Sequence, residues 1–263
     1  MPGEESLSCP FQIQFCGWMQ DIWPWRQDSI HTPFWRLYWN LKPGGVLTSA
    51  SGTLLLEPDT FVLIPASYEF STSTTVPFDQ FFIHFNFVDT VKAVGDRIYT
   101  IPGDSFAKAY IEEFIQSYSD LSNRLRCEMI GHIILGHALL KCKNGPAIRK
   151  LPSERRILKC IDFITTRLDE KLDNSRLAEH CGLARNAFIR LFSETMEESP
   201  QAFVRRKRIE RACHLLHFSN LSIKEIAMRT GFANQYHFSK VFSRLQLNSP
   251  RKFRAPHFAS PLE

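Results

Sequence analysis

The chain has 263 residues, which is the length of two modest domains. Its composition, 44% hydrophobic and 22% charged, is that of a globular protein and excludes a disordered or collagen-like chain. The net charge of +5 averages two unlike parts. Residues 1–140 carry 8 Lys and Arg against 15 Asp and Glu, a charge of −7, whereas residues 141–263 carry 24 against 12, a charge of +12. A basic part of this kind is typical of a module that binds a polyanion.

The sequence has none of the patterns of a secreted or membrane-spanning protein. Residues 1–10 contain no basic stretch followed by an apolar one, so no signal peptide is expected. The longest apolar runs, such as residues 81–88, fall short of the ~20 residues that span a bilayer. The seven cysteines are odd in number and form no CxxC pair. We therefore expect a cytoplasmic protein with no membrane partner, no disulfide framework, no cofactor and no metal.

Residues 11–100 have the pattern of short β-strands. Side chains alternate along residues 34–41, which places Arg36 and Tyr38 on one face and Trp39 on the other. Further apolar runs, separated by turn residues, follow at residues 53–56, 61–64 and 80–88. Several short strands at close spacing are typical of a sandwich or barrel rather than of a parallel sheet.

Two amphipathic helices are predicted after the strands. Apolar residues recur at spacings of three and four in residues 106–118 and 125–140. Residues 141–153 contain Lys-Asn-Gly-Pro and a second proline, have little apolar pattern, and are predicted to be a linker. Everything beyond has a helical pattern and no strand signal. The predicted fold class is therefore α+β in two domains, the second of them all-α.

The basic part contains an internal repeat, because residues 177–203 and 226–253 follow one pattern. Each copy has an alanine, a glycine four residues later, a helix with two phenylalanines, a Ser-Pro pair and a final phenylalanine. The positions are Ala178, Gly182, Phe188, Phe192, Ser199, Pro200 and Phe203 in the first copy, and Ala227, Gly231, Phe238, Phe242, Ser249, Pro250 and Phe253 in the second. The offset is 49 residues before the turn and 50 after it.

Each copy has the pattern of a helix-turn-helix. Asp173 and Ser222 are suitable N-caps, and Glu225 completes a capping box. The glycine supplies the left-handed residue that ends the first helix. The second helix then buries its phenylalanines and exposes polar residues, as a helix in a DNA major groove does. The alternative is a plain helical bundle, but the duplication and the charge of +12 together favour DNA.

One long helix at residues 200–219 is predicted to join the two copies. Proline is tolerated in its first turn, and Ile209 and Ala212 belong to its apolar face. Such a helix would hold the two units at a fixed separation, and a separation near one turn of DNA, about 34 Å, would let both enter successive major grooves. The basic residues predicted to lie mostly outside are Arg205, Arg206, Lys207, Arg208 and Arg211.

Residues 157–254 resemble the DNA-binding domain of the AraC family of bacterial transcription regulators. The matching pieces are Leu177-Ala178, Gly182-Leu183, residues 188–192, residues 208–212, Leu215-Leu216, residues 222–227, Gly231-Phe232, residues 238–242, Ser249-Pro250 and Phe253-Arg254. The resemblance implies a cupin-like effector domain at 1–103, a helical dimerisation segment at 104–140, a linker at 141–153 and a DNA-binding domain at 154–263. Its two motifs would lie at about 173–195 and 222–244.

The resemblance also implies which side chains meet DNA. The candidates for reading bases are Asn186, Ile189, Arg190, Gln235, Tyr236, Ser239 and Lys240. Arginine and lysine donate to guanine, glutamine pairs with adenine, and Ile189, where a polar residue is usual, would contact a thymine methyl. The alternative for Arg190 and Lys240 is contact with phosphate alone. The candidates for phosphate contact are Arg185, Asn234, Arg205, Arg206, Arg251 and Arg254.

Residues 11–100 are similar to the cupin-like β-barrel that many members of this family place ahead of the helical domain. Metal-dependent cupins need clustered histidines, whereas only His31 and His84 fall in this region, so no catalytic or metal-binding residue is expected. All five tryptophans lie in the first 39 residues, and aromatic faces suit a polar ring such as a sugar. The candidate effector contacts are Arg36, Tyr38, Trp39, His84 and Asn86, with ordinary core residues as the alternative.

The sequence therefore predicts a transcription regulator and not an enzyme. It is expected to bind double-stranded DNA as a homodimer, to respond to a small-molecule effector such as a sugar, and to act more often as an activator, with RNA polymerase as a further candidate partner. Two alternatives stay open. One is a constitutive DNA-binding regulator whose barrel only dimerises, and the other is a cupin enzyme with an accessory DNA-binding domain.

Overall fold

The computed structural model of the chain describes residues 9–152 and 154–254. The chain forms two compact units, the first made of residues up to Ile30 and Phe34–Arg149, and the second of His31–Pro33 and the residues from Lys150 onward. The strands are β1 (Phe11–Ile22), β2 (Gln27–Ile30), β3 (Trp35–Asn40), β4 (Gly45–Ser49), β5 (Gly52–Leu55), β6 (Thr60–Ile64), β7 (Phe70–Thr74), β8 (Phe78–Phe87), β9 (Val91–Val94), β10 (Tyr99–Pro102) and β11 (Ala147–Lys150). The helices are α1 (Ser105–Tyr118), α2 (Arg124–Lys141), α3 (Arg155–Thr166), α4 (Asn174–His180), α5 (Arg185–Met196), α6 (Pro200–Phe218), α7 (Ile223–Arg229), α8 (Gln235–Gln246) and α9 (Pro250–Arg254). None of these helices is long and apolar enough to cross a bilayer.

The first unit is built on two antiparallel sheets. Their strand orders are β1-β8-β3-β6-β10 and β2-β7-β4-β5. Contacts cross the space between them, since the guanidinium carbon of Arg36 lies 5.4 Å from the ring centre of Phe70. The rings of Trp25 and Tyr38 are 6.0 Å apart. The predicted α+β class, with strands first and helices after, is confirmed.

A short strand lies where the sequence predicts a linker. β11 pairs with β9 in a sheet of two strands, so the segment predicted to be a linker without regular structure contains a short strand. All four residues of β11 are exposed. A strand that buries neither face has no alternating apolar pattern, and its pairing therefore leaves no signal in the sequence.

The central strand β3 separates two different environments. Trp35, Leu37 and Trp39 face α1 and α2 and belong to the main apolar core of this unit. Arg36 and Tyr38 lie on the opposite face, toward the second sheet. The alternation predicted for this segment is confirmed, because successive side chains of a strand point to opposite faces.

Asp104 joins the start of α1 to the end of α2. Its carboxylate accepts hydrogen bonds from Lys141 Nζ at 2.7 Å and from the Ala107 amide at 2.9 Å, the second as the N-cap of α1. His137 Nε2 lies 3.1 Å from the same carboxylate. The hydrogen bond from Lys141, followed by that from the Ala107 amide, holds the pKa of Asp104 well below its usual range.

The second unit repeats one helical arrangement. Asp173 caps α4, and Ser222 caps α7 in a capping box with Glu225, as predicted. Gly182 and Gly231 have positive φ values of 63° and 70°. The repeat extends to the ends of α5 and α8, where residues 197 and 247 are left-handed, with φ values of 57° and 56°.

Each half of this unit has its own phenylalanine core. Phe192 packs edge-on against Phe188 and Phe203, with ring centres 5.6 and 5.5 Å away. In the second half, Phe242 packs against Phe238 in a tilted arrangement at 5.4 Å and edge-on against Phe253 at 5.2 Å. The sequence repeat is therefore a repeat of packing, and the predicted inward faces are confirmed.

We expect Asp104→Asn to lower the melting temperature at neutral pH, because an amide cannot attract Lys141 as a carboxylate does. The folded-state pKa of Asp104 lies below its unfolded value of about 3.9, so the stabilisation is present above that pH and is lost as the pH falls. Thermal unfolding should show a gap between wild type and variant that closes between about pH 5 and pH 2.

Glu128→Gln is the matched control, since Glu128 on α2 forms an exposed pair with Arg124 at 3.5 Å. Such a pair contributes little to stability, and its loss should leave the melting temperature nearly unchanged. A gap for Asp104→Asn that stayed constant down to about pH 2 would show that the carboxylate's charge is unimportant.

Candidate nucleic-acid interface

Helix α5 has a buried side and a polar side. It begins after Ala184 and buries Phe188 and Phe192. The predicted contacts Arg185, Asn186 and Arg190 are all exposed. Ile189 is half-buried and packs against the core of this half, so only part of its side chain can reach a partner. The predicted residues fall at helical spacing on one side of the first two turns.

Helix α8 presents a similar surface. Its N-cap, Asn234, accepts a hydrogen bond from the His237 amide at 2.8 Å, and its NH2 group can donate to a partner such as phosphate. Gln235 and Lys240 are exposed and Ser239 is half-buried. Tyr236 is 78% exposed, a position that fits a binding surface better than a core. The predicted base-reading residues of the second copy therefore lie together near the start of α8.

The basic groups of these two surfaces are available for a ligand. Within residues 9–152 and 154–254, no carboxylate pairs with Arg190 or Lys240. An unpaired surface cation attracts a polyanion without first having to break an internal bond. The two helices therefore present free positive charge where the repeat predicts contact with DNA.

Two predicted phosphate contacts need correction. Arg206 donates to Glu198 and Glu210, each at 2.7 Å, which neutralises its charge. Arg254 donates to the carbonyl oxygen of Leu221 and is half-buried. Both side chains hold the fold together. Arg185, Arg205 and Arg251 are exposed, and their contact with phosphate stays a prediction.

The prediction that the Arg208 side chain lies on the outer face of α6 is also wrong. Its Nε donates to the carbonyl oxygen of Leu168 at 2.9 Å, and its Nη2 donates to that of Glu170 at 2.6 Å. Burial lowers the pKa of its guanidinium. The sequence contains a signal for this position. Val204, Ala212 and Leu216, which recur with Arg208 at a spacing of four residues along one side of α6, are all buried.

In the first unit, the predicted effector contacts divide between the two faces of the large sheet. Arg36 and Tyr38 face the second sheet, and His84 pairs in register with Arg36. The guanidinium of Arg36 lies 4.7 Å from the ring centre of Phe34, and the ring of His84 stacks on the same phenylalanine at 4.9 Å. Burial raises the pKa of Tyr38.

The prediction for Trp39 is wrong, and two polar residues of this interior were missed. Trp39 packs against Phe61 at 4.6 Å on the other face of the sheet and cannot share a pocket with Arg36. Asn40 and Gln80 continue the inner row and are hydrogen-bonded to each other at 3.1 Å. Continuing the period of two along β3 would have found Asn40.

Asn86, the remaining predicted effector contact, is half-buried near the end of β8, opposite Gln12. Among the residues that the structure describes, no three His, Cys, Asp or Glu side chains lie close enough to hold a metal ion.

The C-terminal part of the chain matches known DNA-binding domains. Residues 177–256 match the family of helix-turn-helix domains. The HTH-type transcriptional regulator AlkR of Acinetobacter baylyi is 35% identical over 78 residues, which are 30% of this chain and 26% of that protein. The HTH-type transcriptional activator RhaS of Yersinia pestis is 29% identical over 102 residues, 39% of this chain and 37% of RhaS. The chain thus spans about a quarter to two fifths of the curated relatives it matches.

A solved structure is similar in fold over nearly the whole chain. Wild-type ToxT from Vibrio cholerae, crystallised with an unsaturated fatty acid bound, matches 93% of this chain and 94% of its own, with a TM-score of 0.54. The sequence identity is 12%, so the likeness is one of fold alone. It extends through the strand-rich part.

Proposed function

We propose that this chain, whose residues 177–256 match the family of helix-turn-helix domains, is a sequence-specific DNA-binding transcription regulator of the AraC type. One observation carries the proposal. Two helices, α5 and α8, repeat the same buried phenylalanines, and at one matching position each exposes a basic side chain, Arg190 in α5 and Lys240 in α8. A helical bundle without a ligand has no need to repeat its exposed face, whereas a protein that reads two successive major grooves does.

The exposed side chains of α5 and α8 are suited to reading bases, whereas the net positive charge is suited to attracting phosphate. Arg190 and Lys240 can donate to guanine O6 and N7, and Gln235 can pair with adenine through its amide. The charge of +12 on residues 141–263 supplies the attraction to phosphate that does not depend on sequence.

Activation is the favoured role, since RhaS is named an activator, and RNA polymerase is then a partner. Such a regulator acts in the cytoplasm, where bacterial DNA lies.

Lys240→Ala should weaken binding to the selected DNA site by about 1–3 kcal/mol and relax the preference at one base pair, because a base-edge donor is lost. Selection from random duplexes followed by titration measures both effects. Arg244→Ala removes the same charge from the last turn of α8 and should weaken all sequences alike. If Lys240→Ala leaves the sequence preference unchanged, Lys240 contacts phosphate alone and is not a base reader.

We further propose that the regulator is a homodimer joined through α2. Leu125, Met129 and Leu140 are 69%, 61% and 88% exposed, and Ile133 between them is also exposed. These residues recur at spacings of four and seven, so they form one apolar stripe on the side of α2 away from its core. An apolar stripe of this length points to a protein interface, and a second copy offers the same stripe about a two-fold axis.

Met129→Glu should convert the dimer to a monomer, because a carboxylate in the middle of an apolar interface has no partner. Size-exclusion chromatography with light scattering measures the mass directly. Val76→Glu places the same charge on an exposed valine of the first unit and should leave the mass unchanged. A wild-type chain that is a monomer at micromolar concentration would contradict the proposal, as would a dimer unaffected by Met129→Glu.

The interior of the first unit supports an effector site. Arg36, Tyr38 and His84 lie on the face of the large sheet that is directed at the second sheet, in an aromatic surrounding. Polar side chains set among aromatic rings suit a small polar molecule such as a sugar. ToxT, similar in fold, was crystallised with a fatty acid, whose carboxylate would suit Arg36 in the same way.

Thermal unfolding of the full chain with monosaccharides and, separately, with unsaturated fatty acids tests this effector site. A ligand that binds the folded state raises the melting temperature in proportion to the logarithm of its concentration. The same ligand should change the affinity for DNA, since an effector acts by binding one state better than the other. If neither class of ligand changes either quantity, the chain is a constitutive regulator whose first unit only dimerises.

A further inference from the structure

Arg208 connects three elements of the second unit. Its backbone belongs to the middle of α6, the helix between the two motifs. Its side chain donates to the carbonyl oxygens of Leu168 and Glu170, which lie in the turn that leads from α3 into α4, the first helix of the first motif. The guanidinium carbon also lies 6.0 Å from the ring centre of Phe232, in the turn of the second motif. The segment that leads into the first motif and the turn of the second motif therefore meet at one side chain.

Gly231 brings the second motif against the same point. A methyl group added there would come within 2.2 Å of the Leu168 carbonyl oxygen and 2.6 Å of Arg208 Nη2. Gly182, the matching residue of the first copy, has nothing within 4 Å of the same position. The two glycines share a left-handed backbone, but only Gly231 is needed for close packing.

The remaining contacts of α6 hold its two ends. Near its start, Gln201 donates to the Leu172 carbonyl oxygen at 2.8 Å, just before α4. Near its end, the ring centre of His217 lies 4.9 Å from that of Phe253 in α9. Between these ends is an open cleft of about 540 Å³, lined by residues 169–173 at the start of the first motif and by Met228 and residues 231–233 of the second. Arg208 and Gly231 both line this cleft.

We propose that Arg208, together with Gly231, is a positioning residue that fixes how α5 and α8 are oriented to each other, and thereby sets the spacing of the two DNA sub-sites that the regulator accepts. The inference rests on the proposed DNA-binding function. A guanidinium suits this role because its planar fork donates to two carbonyls at once, whereas the single ammonium of lysine cannot reproduce that geometry. One base pair more or less rotates a sub-site by about 35° and shifts it by about 3.4 Å, which a fixed pair of helices cannot follow.

The test uses the full chain and duplexes obtained by selection from random sequence. Affinity is measured for the selected site and for sites with one base pair added or removed between the two sub-sites. Wild type should lose about tenfold or more on either change, in line with the cost of a misplaced contact. Arg208→Ala and Arg208→Lys should bind the selected site less tightly and discriminate among the three spacings by about threefold or less.

Two matched controls separate positioning from charge and from backbone strain. Arg211→Ala removes an exposed positive charge from the same helix and should keep the wild-type discrimination. Gly231→Ala should lose discrimination as the Arg208 variants do, whereas Gly182→Ala, with the same positive φ but open space, should keep it. Circular dichroism spectra report whether each variant is folded.

The outcomes distinguish the inference from the function it rests on. A wild-type chain that selects no DNA sequence would overturn the proposed function and the inference with it. Selection of two sub-sites by wild type, with unchanged spacing discrimination in the Arg208 variants, would overturn the inference alone. If neither Arg208→Ala nor Arg208→Lys folds, Arg208 is a residue of general stability and the inference is wrong.

Discussion

The burial of paired phenylalanines in α5 and α8 is the constraint on which the DNA-binding part depends. An α-helix has 3.6 residues per turn, so burying residues 188 and 192, or 238 and 242, also fixes which neighbours face solvent. The same rings pack against Phe203 and Phe253, which start the next helix in each copy. One apolar contact thus determines both the inner core and the outer surface, and its duplication gives two outer surfaces of the same kind.

The first unit obeys the corresponding rule for strands. Alternation along β3 directs Trp35, Leu37 and Trp39 to the helices and Arg36 and Tyr38 to the second sheet. The inner face is thereby more polar than an ordinary core, and among the described residues Asn40 Nδ2 and Thr72 Oγ1 have no hydrogen-bond partner. Buried polar atoms without partners cost free energy, so this interior is suited to a polar ligand that would supply the missing bonds.

Sequence reasoning was sufficient wherever a local rule decides the structure. The caps Asp173 and Ser222, the left-handed Gly182 and Gly231, and the alternation in β3 all depend on neighbours in the chain. Sequence patterns are insufficient where a residue distant in the chain determines the structure. The sequence predicts that the side chains of Arg206 and Arg208 are both exposed. Arg206 is paired with two glutamates, however, and Arg208 donates to carbonyl oxygens about forty residues earlier in the chain. The alternation along β3 directs Trp39 away from Arg36, so its aromatic character is no evidence that it belongs to the same site.

We propose that α5 and α8 of one chain enter successive major grooves on the same side of a DNA duplex. Hydroxyl-radical footprinting of the full chain on a selected site measures this arrangement, because the cleavage pattern reports which sugars are covered. We expect two protected patches on one face of the duplex, about one helical turn apart, for each chain bound. A single patch per chain, or two patches on opposite faces, would show that the two helices do not bind in this way.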